Sequence, residues 1–172
     1  VVHNGGYPAD MDAIMRVAMK HNIIVIEDCA HAHGSEWKGT KVGAIGHLGA
    51  FSLMAGKSIA GGEGGIVLTN HEELRANVYA YMDMGRWTER PDKNIRLGVT
   101  SNFRMPEFTA AVLICQLARF DEQVETRERN FTYLAKRLKE IDGVDALDRD
   151  PRVTKWSIYY WNFKFNQDKF EG

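Results

Sequence analysis

Residues 23–34 read IIVIEDCAHAHG and carry the signal that decides the fold. The run at residues 23–26 is apolar and β-branched, which is typical of a strand covered on both faces. Upstream, Asp10 is placed to cap a helix whose apolar residues recur at helical spacing over residues 11–19. Residues 1–3 resemble the tail of an earlier strand. The order strand, helix, strand predicts a βαβ unit with parallel strands, and therefore an α/β fold.

Local patterns predict the remaining elements. Short apolar or alternating runs predict strands, glycines predict element ends, and Pro106 predicts a helix start. The predicted elements are strands at residues 48–53, 66–69 and 156–165, a helix at residues 71–84 with Gly85 as its C-cap, a polar loop at residues 86–105, and a helical stretch from Pro106 to about residue 141 with a kink near Asp121.

The composition excludes several classes of protein. The 172 residues include 22 basic and 23 acidic side chains, and no basic run suggests nucleic-acid binding. No apolar run is long enough to suggest a membrane span. Cys29 and Cys115 form neither a CxxC motif nor a zinc-ligand spacing, so a reduced, cytoplasmic setting is expected. Because the chain does not begin with Met, we expect it to be a fragment of a longer protein.

Asp28 is the first candidate functional residue. It follows the predicted buried strand, and ligands of open α/β sheets bind at the carboxyl ends of strands. A structural alternative is that Asp28 caps a helix or braces a loop. His31 and His33 follow closely, so a metal site made from Asp28, His31 and His33 is a second alternative. A third is that one histidine bonds locally while the other packs.

Lys57 is the second candidate. It lies in FSLMAGKS at residues 51–58, before GGEGG at residues 61–65. A phosphate-binding P-loop would need glycine at the position of Phe51, so that motif fails. The small and apolar neighbours of Lys57 favour a neutral, nucleophilic amine, and the glycines allow a sharp turn near it. A solvated loop lysine remains the structural alternative.

A third candidate group lies where the polar loop meets the predicted helix. Asn102, Arg104 and Glu107 flank Pro106 there. Backbone N–H groups at a helix start can hold an anion, and ordinary capping is the structural alternative.

Four stretches together resemble one family. They are residues 9–14, 26–34, 51–65 and 101–117, in matching order and spacing across about residues 1–140. This arrangement resembles the DegT/DnrJ/EryC1/StrS sugar aminotransferase family, within the fold type I enzymes that use pyridoxal 5′-phosphate (PLP). Local similarity extends to members that resemble 3-amino-5-hydroxybenzoate synthases, which share the run AHAHG, and to inosose aminotransferases.

The resemblance implies a role for each matching residue. Asp28 would pair with the protonated pyridine nitrogen of PLP, and Lys57 would hold PLP as a Schiff base. Ser52 would bind the cofactor phosphate. His31 stands where the family commonly has glutamine and would contact the ring region of the cofactor. Asn102 would reach the phosphate of the neighbouring subunit's cofactor.

The resemblance also implies a reaction and an assembly. We expect an aminotransferase that moves an amino group from glutamate or glutamine to a keto sugar, often nucleotide-linked, or to a cyclic polyol ketone, and that works as a homodimer with shared active sites. Residues 1–141 would form the C-terminal part of the PLP-binding large domain, and residues 142–172 the beginning of a small C-terminal domain. The chain alone would be inactive. No resident metal, nucleic-acid partner or membrane is expected.

Two other functions stay open at this point. One is a lyase that resembles 3-amino-5-hydroxybenzoate synthase and is built on the same scaffold. The other is a non-catalytic module that binds a metal or another ligand through Asp28, His31 and His33. Dehydratase members of the family carry histidine in place of the lysine, so Lys57 disfavours that branch.

Overall fold

The computed structural model describes residues 1–86 and 100–170, so most of the predicted polar loop lies outside the described residues. The helices are α1 Met11–His21, α2 Glu72–Met82, α3 Glu107–Ala118 and α4 Phe120–Leu138. The strands are β1 Ile26–Asp28, β2 Glu36–Trp37, β3 Thr40–Lys41, β4 Leu48–Ser52, β5 Gly65–Leu68, β6 Val144–Ala146, β7 Val153–Lys155 and β8 Phe163–Phe165. Short 3₁₀ helices cover Asn4–Gly6 and Gln167–Lys169. None of the described helices combines the length and hydropathy that a membrane span needs.

Helix α1 begins and ends as its sequence predicts. Asp10 Oδ1 accepts a hydrogen bond from the Ala13 N–H at 3.1 Å, which satisfies a backbone donor that the helix itself leaves free. The C-cap residue of the helix is Asn22, whose backbone has a left-handed conformation with φ of 52°. Met11 and Ala18 are buried on one face of α1, where they pack with Val25. Helix α1 therefore covers one side of the chain that leads into β1.

The sheet that organises the molecule contains β1, β4 and β5 in the order β1-β4-β5. Strand β1 pairs in parallel with β4 and places Asp28 opposite Ala50, whereas β4 and β5 are antiparallel. On the other side of β1, Val2 forms an isolated parallel bridge with Asp28. The parallel arrangement on either side of α1 confirms the predicted βαβ unit.

The prediction that residues 23–26 form a strand covered on both faces is wrong for the described structure. Strand β1 begins only at Ile26, and Ile23, Ile24 and Ile26 are 54%, 55% and 53% exposed. Only Val25 of this run is buried, because α1 packs on that side alone.

The other elements from β4 to α4 agree with the sequence. Strands β4 and β5 and helix α2 each lie within about two residues of the predicted bounds. The predicted C-cap at Gly85 is wrong by two residues, since Asp83 is the C-cap of α2. Gly85 lies beyond it with φ of +78° and donates its N–H to the Ala80 carbonyl at 2.7 Å, which still ends the helix. Pro106 is the N-cap residue of α3, and Arg119 separates α3 from α4. The break lies two residues before Asp121, so the predicted kink is confirmed.

The predicted strand at residues 156–165 is largely wrong, since only Phe163–Phe165 forms one. Ser157 N–H donates to Ser35 Oγ at 3.0 Å, and Tyr159 N–H donates to the Gly5 carbonyl at 3.0 Å. These backbone N–H groups therefore bond to Gly5 and to Ser35, which precedes β2, and not to a neighbouring strand. The aromatic alternation reflects packing, in which Trp156 meets the rings of Tyr7 and Phe131.

Three clusters of buried apolar residues hold these elements together. The first joins α1 to a small sheet with the strand order β3-β2-β7. The second joins α3 and α4 to the loop that carries Lys57, and the third lies beneath residues 29–33. Because β7 pairs with β2, the end of the chain is attached near its beginning.

Candidate active site

Asp28 and Ser52 end neighbouring parallel strands, β1 and β4. Asp28 is exposed, and its Oδ1 accepts a hydrogen bond from the Ala30 N–H at 3.0 Å. Ser52 is half-buried and lies two residues beyond the partner of Asp28 in β4. The structure therefore brings a carboxylate and a hydroxyl to the same end of the sheet, as predicted for a ligand site in an α/β fold.

Lys57 lies on a loop that backbone hydrogen bonds hold in shape. The Lys57 N–H donates to the Met54 carbonyl at 2.9 Å, and the Ala55 N–H donates to the Gly62 carbonyl at 2.8 Å. Gly62 and Gly64 have φ of +98° and +133°, which L side chains rarely adopt. The glycine run thus makes the return turn that the sequence predicts.

The same loop is fixed from beneath by apolar packing. Leu53 and Ile59, on either side of Lys57, are buried in one cluster with residues of α3 and α4. Those partners are Leu113, Phe120 and Val124. The position of Lys57 consequently depends on helices that begin fifty or more residues after it.

Tyr159 joins Lys57 to His31. The Lys57 Nζ lies 5.0 Å from the centroid of the Tyr159 ring. The ring of His31 stacks on Tyr159 with a centroid distance of 4.3 Å and an interplanar angle of 14°. Sequence reasoning missed Tyr159, because the aromatic pattern around it indicated a strand and not a position in the site.

The charges of Lys57 and Asp28 both affect the pKa of His31. Partial burial and then the positive charge of Lys57 lower the pKa of His31 below its ordinary value of 6.5. The Asp28 carboxylate acts in the opposite direction. His31 is therefore a neutral ring at pH 7 that responds to both predicted functional residues.

His33 differs from His31 in being buried, although the charges of Lys57 and His31 act on it as well. Its ring lies 5.4 Å from that of Phe51, and burial lowers its pKa. Neither ring nitrogen finds a hydrogen-bond partner within the described residues. Asp28, His31 and His33 also form no metal-ligand cluster in the described part of the chain, where His3, Glu27 and Cys29 do come together. The geometry does not support the proposed metal alternative at Asp28.

Glu27, which precedes Asp28, was not singled out by the sequence. It is fully buried, and its carboxylate accepts N–H hydrogen bonds from Gly43, Ile45 and Gly46 at 2.8, 2.9 and 2.6 Å. Burial acts to raise the pKa of Glu27, but hydrogen bonds from His3, Gly43 and Gly46 outweigh it and lower the pKa. Glu27 is an ionised group that holds the loop after β3 against β1.

His3 and Cys29 complete the surroundings of Glu27. His3 Nδ1 accepts a hydrogen bond from the Ala9 N–H at 3.0 Å, so His3 Nε2 carries a hydrogen and donates it to Glu27 at 2.9 Å. Burial raises the pKa of the Cys29 thiol, and the charges of Glu27 and Asp28 act in the same direction. With its carboxylate and imidazole already used and its thiol protonated, this cluster is a structural brace.

Asn102 lies apart from the other predicted site residues. It is exposed, it forms a bridge with Asp83 after α2, and its Oδ1 accepts a hydrogen bond from the Arg104 N–H at 3.2 Å. The Arg104 side chain pairs with Asp83, and Glu107 begins α3. Within the described residues, no hydrogen bond joins Asn102 to Asp28 or Lys57.

The match to a family model covers residues 1–170 and carries the description DegT/DnrJ/EryC1/StrS aminotransferase family. The chain belongs to this family. It is 38% identical to the L-glutamine:2-deoxy-scyllo-inosose aminotransferase of Streptoalloteichus tenebrarius, an alignment that covers 100% of this chain and 42% of that protein.

Solved structures give the same relationship. The crystal structure of 3-amino-5-hydroxybenzoic acid synthase is similar with a TM-score of 0.81 and 36% identity, over 94% of this chain and 42% of that one. DesI, solved in the presence of its TDP-sugar product, is similar with a TM-score of 0.84 and 28% identity, over 97% of this chain and 41% of that one. These structures confirm the expected α/β class, that of fold type I aminotransferases. The chain spans less than half the length of these relatives.

Proposed function

We propose that this chain is part of a PLP-dependent aminotransferase that moves an amino group from glutamate or glutamine to a keto sugar, often nucleotide-linked, or to a cyclic polyol ketone. One observation carries the proposal. The Lys57 Nζ and the ring of His31 lie 5.0 and 4.3 Å from the centroid of the Tyr159 ring, and Asp28 and Ser52 end neighbouring parallel strands at the same end of the sheet.

The chemistry of these side chains fits PLP. Asp28 ends a strand, is exposed to solvent, and has one oxygen fixed by the Ala30 N–H. The hydroxyl of Ser52 offers a donor for a phosphate, and the half-buried amine of Lys57 is a nucleophile. His31, neutral at pH 7, offers a flat ring without adding positive charge. When bound, PLP would supply the electron sink that amino-group exchange requires.

Each residue then has a distinct task. Asp28 would accept a hydrogen bond from the N–H of the pyridine ring and stabilise the positive charge of the ring, which favours its protonated form. Lys57 would hold the cofactor covalently. The amino donor would displace Lys57 from the cofactor. The free amine of Lys57 would then stay close by and move a proton between a carbon atom of the donor and one of the cofactor. Ser52 would fix the phosphate end, so that the ring cannot shift while the proton moves.

The class of substrates rests on the named relatives. An inosose aminotransferase that uses L-glutamine and DesI with its TDP-sugar product both belong among them. A second function, a lyase like 3-amino-5-hydroxybenzoate synthase, is favoured by the AHAHG run at residues 30–34 together with the 36% identity to that enzyme. The two functions share Asp28, Lys57 and the cofactor and differ in the fate of the substrate.

Assembly, location and boundaries complete the proposal. The complete protein would extend beyond these residues, as its relatives do, and residues 142–172 would begin a small C-terminal domain after a large domain that ends near residue 141. It would act as a homodimer in which Asn102 serves the neighbouring site.

Cys29 and Cys115 are both free thiols, which favours a cytoplasmic location.

Covalent trapping tests the proposal. The complete protein is incubated with PLP, reduced with borohydride, digested and examined by mass spectrometry. We expect the phosphopyridoxyl group on Lys57, and we expect a Lys57→Ala variant to lose that label while it keeps its far-ultraviolet circular dichroism. A label on another lysine, or none, would overturn the assignment. Assays with keto sugars, an inosose and aminodehydroshikimate then separate the aminotransferase from the lyase.

A further inference from the structure

The segment at residues 156–160 brings an unexpected aromatic ring to Lys57. Tyr159 is half-buried and lies between two residues of the proposed site, since its ring stacks on His31 at 4.3 Å and faces the Lys57 Nζ at 5.0 Å. The Tyr159 hydroxyl also lies close to the loop that carries Lys57. If Gly56 were replaced by alanine, its Cβ would lie 3.9 Å from that hydroxyl.

Several contacts hold Tyr159 in this place. Its N–H donates to the Gly5 carbonyl at 3.0 Å, and the preceding Ser157 N–H donates to the buried Ser35 Oγ at 3.0 Å. Trp156 is buried in the first apolar cluster and packs edge-on against Tyr7 at 5.0 Å. The ring is therefore presented by a fixed segment and not by a free side chain.

An ammonium group over the face of a tyrosine ring is attracted by the negative charge of that face, and the attraction grows when water is excluded. The Nζ of Lys57 lies over this ring face, so the contact acts on Lys57 when its amine is protonated and not covalently linked. We propose that Tyr159 is a positioning residue that holds the unlinked amine of Lys57 beside His31. This inference rests on the proposed function, in which Lys57 alternates between a linked and a free state.

The holding contact has a chemical consequence. Acylation of Lys57 requires the amine to leave the ring face and to lose its proton, and the contact with Tyr159 opposes both. In the complete protein freed of PLP, the rate of Lys57 acylation by trace acetic anhydride therefore measures the contact without any need for activity. Lys20, exposed near the end of α1, is the internal reference.

Substitutions at residue 159 separate the charge of the ring face from its shape. Tyr159→Phe keeps the face, so the ratio of Lys57 to Lys20 acylation should stay within about twofold of the wild type. A ring-trifluorinated phenylalanine at the same position keeps the shape but removes the negative face, and should raise the ratio about threefold or more. Tyr159→Leu should do the same. In the PLP-loaded protein, Tyr159→Leu should lower kcat more than KM changes, and Tyr159→Phe should restore kcat.

Tyr160 provides a matched control. Its ring meets His31 edge-on at 5.4 Å and its hydroxyl bonds to Asn4, whereas the ring that Lys57 faces is that of Tyr159. Tyr160→Phe should leave Lys57 acylation unchanged. Equal acylation with phenylalanine and with its trifluorinated form would overturn the role of Tyr159, even where borohydride still traps PLP on Lys57. If borohydride does not trap PLP on Lys57 but the trifluorinated residue still raises Lys57 acylation, the proposed aminotransferase function would be wrong and the contact between Tyr159 and Lys57 would still be supported.

Discussion

Glu27 and Asp28 are adjacent carboxylates with opposite surroundings. Successive side chains of a strand point to opposite faces, so β1 directs Glu27 into the protein and leaves Asp28 accessible. Glu27 meets three backbone N–H groups and His3, whereas Asp28 keeps one oxygen for a ligand. Glu27 therefore braces the loop after β3 against β1, and Asp28 is the member of the pair that is accessible to a ligand.

The pair allows a matched test of stability. Glu27→Gln should lower the free energy of unfolding by about 2 to 4 kcal/mol, because a buried charge that accepts several N–H groups is replaced by an amide that cannot accept them all. Asp28→Asn keeps an acceptor for Ala30 and should change stability by about 0.5 kcal/mol or less. Urea unfolding measures both. Equal losses in the two variants would contradict the different roles.

The effect of low pH on the stability of the fold should depend on Glu27. Because the folded pKa of Glu27 lies below its ordinary value of 4.5, Glu27 stabilises the fold fully above that value and loses its contribution as the pH falls further. Between neutral pH and mild acid, the wild type should thus be more stable than Glu27→Gln, and the difference should shrink in stronger acid. Urea unfolding at several pH values measures it, and a constant difference would contradict the ionised Glu27.

The protonation of His31 gives a second measurement. Its pKa is lowered by burial and by the charge of Lys57, so its imidazole NMR signals should titrate below 6.5 in the PLP-free protein. Lys57→Met removes that charge and should move the midpoint upward. Lys20→Met, at the exposed end of α1, should leave it in place. An unchanged midpoint in Lys57→Met would mean that Lys57 does not lie near His31.

Which site residues could be predicted depends on their distance in sequence. Asp28 and Lys57 follow recognisable local patterns, and the structure confirms those patterns, a strand end at Asp28 and a glycine-rich turn after Lys57. Glu27 depends on N–H groups sixteen to nineteen residues away, and Tyr159 reaches Lys57 across more than a hundred residues. Local patterns contain no information about such partners.

At the scale of elements, the Lys57 loop is a rigid bridge between the sheet and two helices. Its backbone is fastened to the glycine turn, and its apolar residues lie in the cluster with α3 and α4. The break at Arg119 lets Leu113 from α3 and Val124 from α4 enter the same cluster. The helix pair thus supports the loop that carries the proposed reactive amine through the residues on either side of Lys57.

Neighbouring residues of α3 test this support. Leu113 is 5% exposed and Ile114 is 69% exposed. Leu113→Ala should cost about 2 to 4 kcal/mol of stability, because it opens a cavity beneath the loop. Ile114→Ala should cost about 0.5 kcal/mol or less in this chain. Urea denaturation compares the two, and similar losses would show that the cluster is not the support inferred.

The elements that were predicted correctly are those with local causes. Helix α1 has an acidic cap and a regular apolar face, and α3 begins after a proline. The segment at residues 156–162 was assigned wrongly because its aromatic residues pack against rings elsewhere and its N–H groups bond to Ser35 and Gly5. A strand and such a packed segment have the same alternation, so only the tertiary partners distinguish them.

At the scale of the whole molecule, Asn102 is the predicted site residue that lies apart from the others. Asn102 is exposed and makes local contacts with Asp83 and Arg104, and no described hydrogen bond uses its side-chain N–H groups. Those groups are suitable donors for a phosphate, and α3 begins five residues later. In a twofold homodimer, Asn102 of each chain could serve the site of the other without meeting its own Lys57.

Mixing two defective homodimers of the complete protein tests this arrangement. Lys57→Ala dimers should be inactive, and Asn102→Ala dimers should be weak at limiting PLP because a phosphate contact is lost. If Asn102 serves the neighbouring site, each heterodimer has one site with both changes and one site with neither. After random exchange, about a quarter of all sites should be wild type, so activity should exceed the mean of the two parents. If Asn102 serves its own chain, every site keeps one change, and activity should equal that mean even when mass spectrometry proves that the subunits have exchanged.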